Sequence, residues 1–290
     1  MPLDRLDVKD LLKSVTKLPT LPTVAFEIIK IANDPKTAAE DLSKILIMDQ
    51  SLSAKVLRMV NSSYYSVRNK ISSIKQAVVI LGFESVRSLG LSTAIMDKFG
   101  LEETAEGFSR KEFWKHSLGV AMTSRLIARK IRCDRDTEEF YYMAGLMHDI
   151  GKVIMDQYFP ENFAQVIVRI KERGVSFLQA ELEMNGITHD EIGAFLAGQW
   201  NLPENIVNAI RYHHRPLEAT ADQKIVYAVH FANILTKTKG MGSGGDSDIT
   251  NLNEEAIQRL GINDNEVRVM VETEMDKEFE GAKEFLELLS

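Results

Sequence analysis

The chain has 290 residues, enough for one large or two medium domains. Its composition, 44% hydrophobic and 27% charged, is that of an ordinary globular protein. The formal net charge of -7 opposes broad binding to a phosphate backbone, which needs a basic surface, so no nucleic-acid polymer is expected as a partner.

The single cysteine, Cys133, cannot form an intrachain disulfide, which favours a reducing compartment. Residues 1–12 include early acidic residues and lack the apolar core of a signal peptide. No apolar run approaches the length needed to span a bilayer. The sequence therefore predicts a cytoplasmic protein that does not associate with a membrane.

Apolar residues recur at spacings of three and four through most of the chain, and period-two alternation is scarce, so we predict an all-α fold. Pro22 suits the first turn of a helix, and Asp34-Pro35 ends that helix. Gly82 divides the segment 71–98 into two helices. Helices are predicted over 22–33, 37–49 and 50–62, and on either side of Gly82.

Residues 100–107 are acidic and polar, and they indicate a boundary between two lobes. We place an N-terminal helical lobe at 1–105, a second lobe at 106–240, and a C-terminal part with acidic helices at 241–290. Helices of the second lobe are predicted near 110–131, 136–154, 161–173, 176–184, 189–200, 203–214 and 222–238.

The segment Lys239–Asp248 contains four glycines and two serines, a composition that favours flexibility. It could act as a lid or as a loop that cradles phosphate. Neither the Lys-Ser/Thr pair nor the strand-turn-helix frame of a phosphate loop accompanies it, so a disordered linker is the favoured interpretation.

All six histidines lie between residues 116 and 230. Imidazole is well suited to metal ligation and to proton transfer near pH 7, so this confinement is typical of a built site. His148 and Asp149 follow an apolar helix and offer an imidazole and a carboxylate, and the carboxylate could bridge two cations. Lys152 could hold a phosphate oxygen or protonate a leaving group. Alone, the His-Asp pair is weak evidence, because an ordinary helix end contains the same residue types.

Each remaining histidine also has an ordinary explanation. His116 shares a helix face with Glu112, and the pair could ligate a metal or form a surface contact worth about 0.3 kcal/mol. His189 lies in the first turn of a helix capped by Thr188 and Glu191, where the helix dipole favours the neutral imidazole that a metal needs.

His213 and His214 end the helix that begins at Pro203. Neighbouring helical positions point about 100° apart, so one metal rarely takes both, although two adjacent metals could. Favourable placement at a helix C-terminus is the competing explanation. His230 and Asn233 share a helix face, and His230 is interpreted as packed and hydrogen-bonded. Together, imidazoles and carboxylates in one helical region suit Fe, Mn, Zn or Ni better than Mg or Ca.

The order of these residues resembles the HD superfamily of metal-dependent phosphohydrolases. The N-terminal half narrows the resemblance to the HDOD family, the HD-related output domain of bacterial signalling proteins. The segments that resemble it are LPTLP at 18–22, DQSLSAKVLRMVNS at 49–62 and IKQAVVILG at 74–82. The resemblance covers residues 15–240, and its motifs are specific.

The resemblance implies an N-terminal helical lobe packed on an HD-like lobe. It also implies signal transduction as an output module, through a signalling protein partner or a nucleotide second messenger. By comparison with HD-GYP phosphodiesterases, it implies one or two divalent transition-metal ions, Fe, Mn or Zn, with Ni as an option. The implied metal ligands are Glu112, His116, His148, Asp149, His189, His213 and His214, with Asn233 as a weak ligand. Asp149 and Lys152 would be the catalytic residues of an active enzyme.

Two features depart from the HD-GYP pattern. Residues 215–218 (RPLE) follow the histidine pair where a GYP segment is expected, and Asn233 stands where an aspartate is expected. A neutral amide is a weaker ligand than a carboxylate, so we expect metal binding more than efficient turnover.

Three hypotheses remain open. The first, favoured by these departures, is a signalling module that binds a partner protein or a nucleotide and holds a structural or sensory metal. The second, favoured by the nearly complete ligand set, is a metal-dependent phosphohydrolase acting on phosphodiester or nucleotide substrates. A di-iron redox or oxygen sensor ranks third, because histidine and carboxylate ligands suit iron.

Overall fold

A computed structural model describes residues 20–32, 39–62, 64–65, 67–101, 107–184 and 186–289. Within these ranges the chain is helical and contains no strand, which confirms the predicted all-α fold. The predicted break at Asp34-Pro35, the start of the LPTLP segment, and the acidic residues 102–106 at the predicted lobe boundary lie outside the described residues.

The N-terminal lobe is built around one long helix, α5, on which the other helices of the lobe pack. Its helices are α1 (Thr23–Ala32), α2 (Ala39–Met48), α3 (Gln50–Val60), α4 (Ile74–Leu81) and α5 (Phe83–Phe99). The Asp49 carboxylate caps α3 by accepting the Leu52 N–H at 2.9 Å. Gly82 separates α4 from α5 with a φ of 95°, a conformation that favours glycine, so the predicted division there is confirmed.

The second lobe is organised by α6, which is buried along most of its length and packs against α7 and α13. Its helices are α6 (Arg110–Lys130), α7 (Arg135–Met147), α8 (Ile150–Tyr158), α9 (Pro160–Arg173), α10 (Phe177–Met184), α11 (His189–Gln199), α12 (Glu204–Tyr212) and α13 (Gln223–Thr238). A short 3-10 turn at Pro216–Glu218 separates α12 from α13.

The single helix predicted at 136–154 is wrong, because α7 ends at Met147 and α8 begins at Ile150. His148 and Asp149 lie in the break. Beyond it, Gly151 packs so closely on α11 that a Cβ there would overlap the His189 carbonyl oxygen. The break therefore brings the His-Asp pair against the start of α11.

The C-terminal part contains the helices expected there and joins the two lobes. It comprises α14 (Glu254–Gln258), α15 (Asp264–Val269), a π-helical turn (Met270–Glu274) and α16 (Met275–Leu289). Helix α16 packs on both α6 and α3, and the Tyr64 hydroxyl donates to the Glu278 carboxylate at 2.7 Å. Helix α5 also packs on α7, so one hydrophobic core runs through both lobes. Among the described helices, none has the length and apolar character required to cross a bilayer.

Residues 239–253, here called the strap, fold back from the end of α13 over the second lobe. The Met241 side chain is buried, and the Ser243 N–H donates to the Glu112 carbonyl at 3.0 Å. The Asp246 carboxylate accepts the Phe177 N–H at 2.8 Å. The interpretation of Lys239–Asp248 as a disordered linker is therefore wrong, since this segment packs on the histidine-rich lobe through its own backbone and side chains.

Candidate metal centre

Four parts of the second lobe bring the predicted ligands together. His116 comes from α6, His148 and Asp149 from the break after α7, His189 from the start of α11, and His213 with His214 from the end of α12. All are fully buried except His214, which is half-buried. Buried imidazoles and a buried carboxylate with converging atoms have the donor types of a transition-metal site.

Asp149 stands at the middle of this cluster. Its Oδ1 lies 3.1 Å from Nε2 of His189 and 3.4 Å from Nε2 of His213, and its Oδ2 lies 3.3 Å from Nε2 of His148. Two groups share this carboxylate, each with ligand atoms within 4.8 Å of one another: Asp149, His189, His213 and His214 in the first, and His116, His148 and Asp149 in the second. A carboxylate common to two groups is the arrangement that bridges a pair of cations.

His148 and His213 are oriented by the same local device. Each follows directly after the end of a helix, and its Nδ1 lies 2.8 Å from the carbonyl oxygen three residues earlier, that of Gly145 or Ile210. A carbonyl can only accept, so each Nδ1 holds the hydrogen and each Nε2 presents a lone pair to the centre.

His189 is oriented by a carboxylate. Its Nδ1 lies 2.6 Å from Oε2 of Glu181, and its backbone N–H donates to both Glu181 oxygens at 3.1 Å. A carboxylate behind a histidine raises its basicity and fixes its ring, as in carboxylate–histidine–metal arrangements. Burial alone would lower the pKa of His189, but Glu181 reverses this and raises it to about 9. Glu181 thus acts against the helix dipole, which disfavours a positive charge at this position.

The remaining ligand atoms show that the cluster fits a cation. Nε2 of His116, His148 and His213 and Oδ1 of Asp149 are buried without a hydrogen-bond partner among the described residues. Burial lowers the pKa of His213 to about 4 and holds that of His116 well below its usual range, so both imidazoles keep their lone pairs at neutral pH. Buried lone pairs that point to one place and receive no hydrogen bond from the protein are suited to a bound metal ion.

His213 and His214 join the same group, although their expected directions differ by about 100° on a helix. Helix α12 ends at Tyr212, so His214 lies beyond helical spacing, and the two ring centroids are 4.1 Å apart. Nδ1 of His214 contacts the Asn251 amide nitrogen of the strap at 3.1 Å, and its Nε2 lies 3.0 Å from Nε2 of His189.

The two remaining predicted ligands are Glu112 and Asn233. Glu112 is in the first turn of α6, where its carboxylate is 44% exposed and lies 3.5 Å from Nζ of Lys115, so the structure does not bring it to the cluster. Asn233 is buried on α13, and its Oδ1 has no hydrogen-bond partner among the described residues.

His230 has both ring nitrogens engaged by backbone. Nδ1 donates to the His213 carbonyl at 2.7 Å, and Nε2 accepts the Asn253 N–H at 3.0 Å. The interpretation of His230 as a packed, hydrogen-bonded residue is therefore confirmed. The ring connects the end of α12, where two ligands lie, to the end of the strap.

Lys152 is buried beside the centre. Its Nζ donates to Oδ2 of Asp149 at 2.7 Å and lies 4.5 Å from the centre of the Phe177 ring. Burial acts to lower the pKa of this ammonium, but Asp149 outweighs burial and raises it. Burial likewise acts to raise the pKa of Asp149, and His148 and Lys152 hold it well below its usual range. A fixed positive charge thus stands beside the shared carboxylate.

The strap covers the centre, a position that fits the lid interpretation of this segment and not the favoured linker. A Cβ added to Gly244 would lie 3.1 Å from Oδ2 of Asp149 and 3.2 Å from Cδ2 of His116, so the strap backbone lies beside both groups of residues. Glu181 and Asn251 were not among the residues predicted from the sequence. No sequence signal singles out Glu181, because Glu183 on the same helix has the same character yet lies at the surface.

Comparison with known proteins agrees with this arrangement. The HDOD domain family model matches residues 18–216. An uncharacterised protein of Treponema pallidum (strain Nichols) is 27% identical over 221 residues, 76% of this chain and 42% of that protein. This chain therefore spans less than half the length of that relative.

Solved structures show the same fold over nearly the whole chain. An HDOD domain protein with unknown function from Geobacter sulfurreducens is 31% identical with a TM-score of 0.82, covering 97% of this chain and 96% of the other. A candidate phosphohydrolase from Shewanella amazonensis SB2B is 24% identical with a TM-score of 0.76, covering 97% and 98%. The helical fold, the buried His/Asp cluster and the family match over residues 18–216 lead to one conclusion: the chain belongs to the HDOD family.

Proposed function

We propose that this HDOD protein binds two divalent transition-metal ions at the cluster and acts as a metal-dependent phosphohydrolase. The observation that supports the proposal most directly is the position of Asp149, whose carboxylate belongs to both groups of ligand atoms. Two adjacent cations with a shared carboxylate are typical of enzymes that cleave phosphate esters. Which metal binds and which substrate is hydrolysed would depend on the residues that surround the two ions.

The residues would divide the work as follows. When bound, the ions would polarise the phosphoryl group and lower the pKa of a water molecule. Glu181 holds the His189 ring in place, and the carbonyl partners of His148 and His213 fix their tautomers. The Lys152 ammonium, kept protonated by Asp149, would stabilise negative charge on the leaving oxygen.

The test is the metal content of protein purified without chelator, measured by elemental analysis, for wild type, Asp149→Asn and Asp136→Asn. Asp136 is an exposed aspartate on α7, so its replacement makes the same charge change away from the cluster. We expect Fe, Mn or Zn in wild type and Asp136→Asn and a large loss in Asp149→Asn. Absence of metal from all three proteins after reconstitution would overturn the proposal.

Activity is then measured on bis(p-nitrophenyl) phosphate, with and without chelator. Wild type and Asp136→Asn should hydrolyse the diester only when metal is present, and Asp149→Asn should not hydrolyse it. Equal rates in wild type and Asp149→Asn would mean that the cluster does not catalyse the reaction.

A second candidate function is a signalling module that binds a protein partner or a nucleotide second messenger. The strap favours it, because Gly244 covers the centre and leaves the ligands buried. If this function is correct, immobilised wild type and Asp149→Asn should both recover the same partner from a cell extract. If only the wild type recovers the partner, partner binding depends on Asp149, which would count against a signalling role that is independent of the metal.

A further inference from the structure

Lys237 is a buried lysine that the proposed hydrolysis does not use. It lies on α13, only 6% of its side chain is exposed, and its Nζ forms an ion pair with Oδ1 of Asp246 on the strap. It also donates to the Asp248 carbonyl at 3.1 Å. A buried lysine usually requires an anionic partner, and here the glycine-rich strap supplies one.

The Asp246 carboxylate is held from a second side. Its Oδ2 accepts the N–H of Phe177, the first residue of α10, at 2.8 Å. The amide groups that begin a helix are free to bind anions, and the helix dipole favours negative charge there. Asp246 is also as buried as Lys237, at 6% exposure of its side chain.

Lys152 adds positive charge to the same place. Its ammonium lies over the Phe177 ring, and a Cβ on Gly245 would touch that ring from the strap side, 2.6 Å from Cε2. Burial acts to raise the pKa of Asp246, yet Lys237 and then Lys152 lower it, so both ammonium groups act on this carboxylate. Asp246 is therefore paired with a lysine of α13 and is also acted on by the lysine that binds Asp149.

We propose that Lys237, the Phe177 amide and Lys152 form a phosphate-binding subsite beside the metal centre, and that the Asp246 carboxylate occupies it as an internal substitute. The subsite deepens the proposed phosphohydrolase function and rests on it for its role in substrate binding. Opening of the strap would replace the Asp246 carboxylate with a phosphate group. The two lysines and the Phe177 amide would already be in position to bind it.

The position of the strap indicates the kind of ligand. A Cβ on Gly244 would contact Asp149 and His116 at the centre, and Asp246 is two residues further along the chain. Two residues span at most about 7 Å, so the backbone that carries Asp246 lies within that distance of the backbone that covers the centre. This spacing suits a ligand with two neighbouring phosphate groups, one at the metal centre in place of Gly244 and the other in place of Asp246.

The experiment measures the affinity of the metal-loaded protein for inorganic pyrophosphate and for inorganic phosphate by titration calorimetry. Asp246→Asn keeps an oxygen for the Phe177 amide but removes the charge that competes for the lysines. We expect it to bind pyrophosphate roughly tenfold more tightly than wild type, within the range of typical coupling between competing ligands. Pyrophosphate should gain more than phosphate, because only pyrophosphate reaches both positions.

Asp248→Asn is the matched control. It makes the same charge change on the strap, but among the described residues its carboxylate accepts from Thr250, at 3.0 Å from the backbone N–H and 2.7 Å from the hydroxyl. It should bind pyrophosphate as wild type does. Adding Lys237→Met to Asp246→Asn should abolish the gain. Equal affinities in wild type and Asp246→Asn, or a gain that survives Lys237→Met, would overturn the subsite.

A second variant tests the strap if Asp246→Asn does not fold. Gly244→Ala introduces a methyl group 3.1 Å from Oδ2 of Asp149, a tight contact that should displace the strap and leaves Lys237 unchanged. It should also tighten pyrophosphate binding, and a melting curve followed by circular dichroism checks the fold of each variant. Unchanged affinity in folded Gly244→Ala would contradict occupation of the subsite by Asp246.

Failure of the two proposals can be told apart. If no protein binds metal, but Asp246→Asn binds phosphate more tightly than wild type through Lys237, the subsite stands and the phosphohydrolase proposal fails. If wild type binds metal and hydrolyses the diester, but Asp246→Asn leaves pyrophosphate affinity unchanged, only the subsite fails.

Discussion

The Glu181 carboxylate binds both the ring and the backbone N–H of His189. The carboxylate lies 2.6 Å from Nδ1 of His189, and its two oxygens each accept the His189 N–H at 3.1 Å. The ring can therefore neither rotate nor shift along α11 without breaking charge-assisted hydrogen bonds. Its opposite nitrogen is directed at Oδ1 of Asp149, 3.1 Å away.

Replacing Glu181 with Gln should weaken metal binding about 10- to 100-fold, because the ligand loses the carboxylate that orients it and raises its basicity. Metal affinity is measured by competition with a fluorescent chelator. Glu183→Gln is the control, since Glu183 lies on the same helix but pairs with Arg169 and Arg173 at the surface. Equal affinity in both variants would show that Glu181 has only a structural role.

Asn233→Asp should strengthen metal binding. The Asn233 Oδ1 is buried and has no hydrogen-bond partner among the described residues. A carboxylate there would supply the negative charge of the aspartate expected at this position, and Oδ1 would lose no hydrogen bond. A charged oxygen is a better ligand for a divalent cation than a neutral amide oxygen. The same competition assay, together with the hydrolysis rate, measures the change. An affinity unchanged or lowered by the extra charge would place Asn233 outside the reach of the metal.

Gly151→Ala should destabilise the protein by about 1–3 kcal/mol or more, because its methyl group would overlap the His189 carbonyl where α8 meets α11. Gly198→Ala, also on a helix but with nothing within 4 Å of its added Cβ, should instead stabilise by about 0.5–1 kcal/mol. Urea denaturation measures both. If Gly151→Ala were as stable as Gly198→Ala, the close contact that places His148 and Asp149 beside α11 would not exist.

His230→Phe should lower the free energy of unfolding by about 2 kcal/mol or more while metal is retained. The ring supplies hydrogen bonds to the His213 carbonyl and the Asn253 N–H, and phenylalanine would leave both backbone groups without partners. Denaturation and elemental analysis are made on the same sample. Loss of metal at unchanged stability would mean that His230 is a ligand.

Removal of the metal should lower the melting temperature of wild type but not of Asp149→Asn. A ligand that binds only the folded state stabilises it by about 2.7 kcal/mol at a hundred times its dissociation constant. Differential scanning calorimetry with and without chelator provides the comparison. The wild type is first saturated with metal. If chelator then leaves its melting temperature unchanged, the folded protein does not bind the metal.

The amino-acid sequence determined the fold class and most of the residues of the His/Asp cluster. Helical periodicity is a local property, since each apolar position is set by neighbours three and four residues away, so the helices follow from the residues directly. The HDOD resemblance and the positions of His148, Asp149, His189 and His213 were equally accessible, because side chains that could ligate a metal are visible as residue types. The sequence indicated a helix end before His148 and Asp149 but not that a second helix, α8, begins directly after them at Ile150.

Only the tertiary structure decided which of these residues meet. His116 and His213 are 97 residues apart in the chain, and their approach depends on how α6 packs against its neighbours. The same packing leaves Glu112 at the surface and makes Glu181, not Glu183, the partner of His189. The strap was misjudged because Gly244, whose backbone lies beside Asp149 and His116, has no side chain that could indicate this position in the sequence.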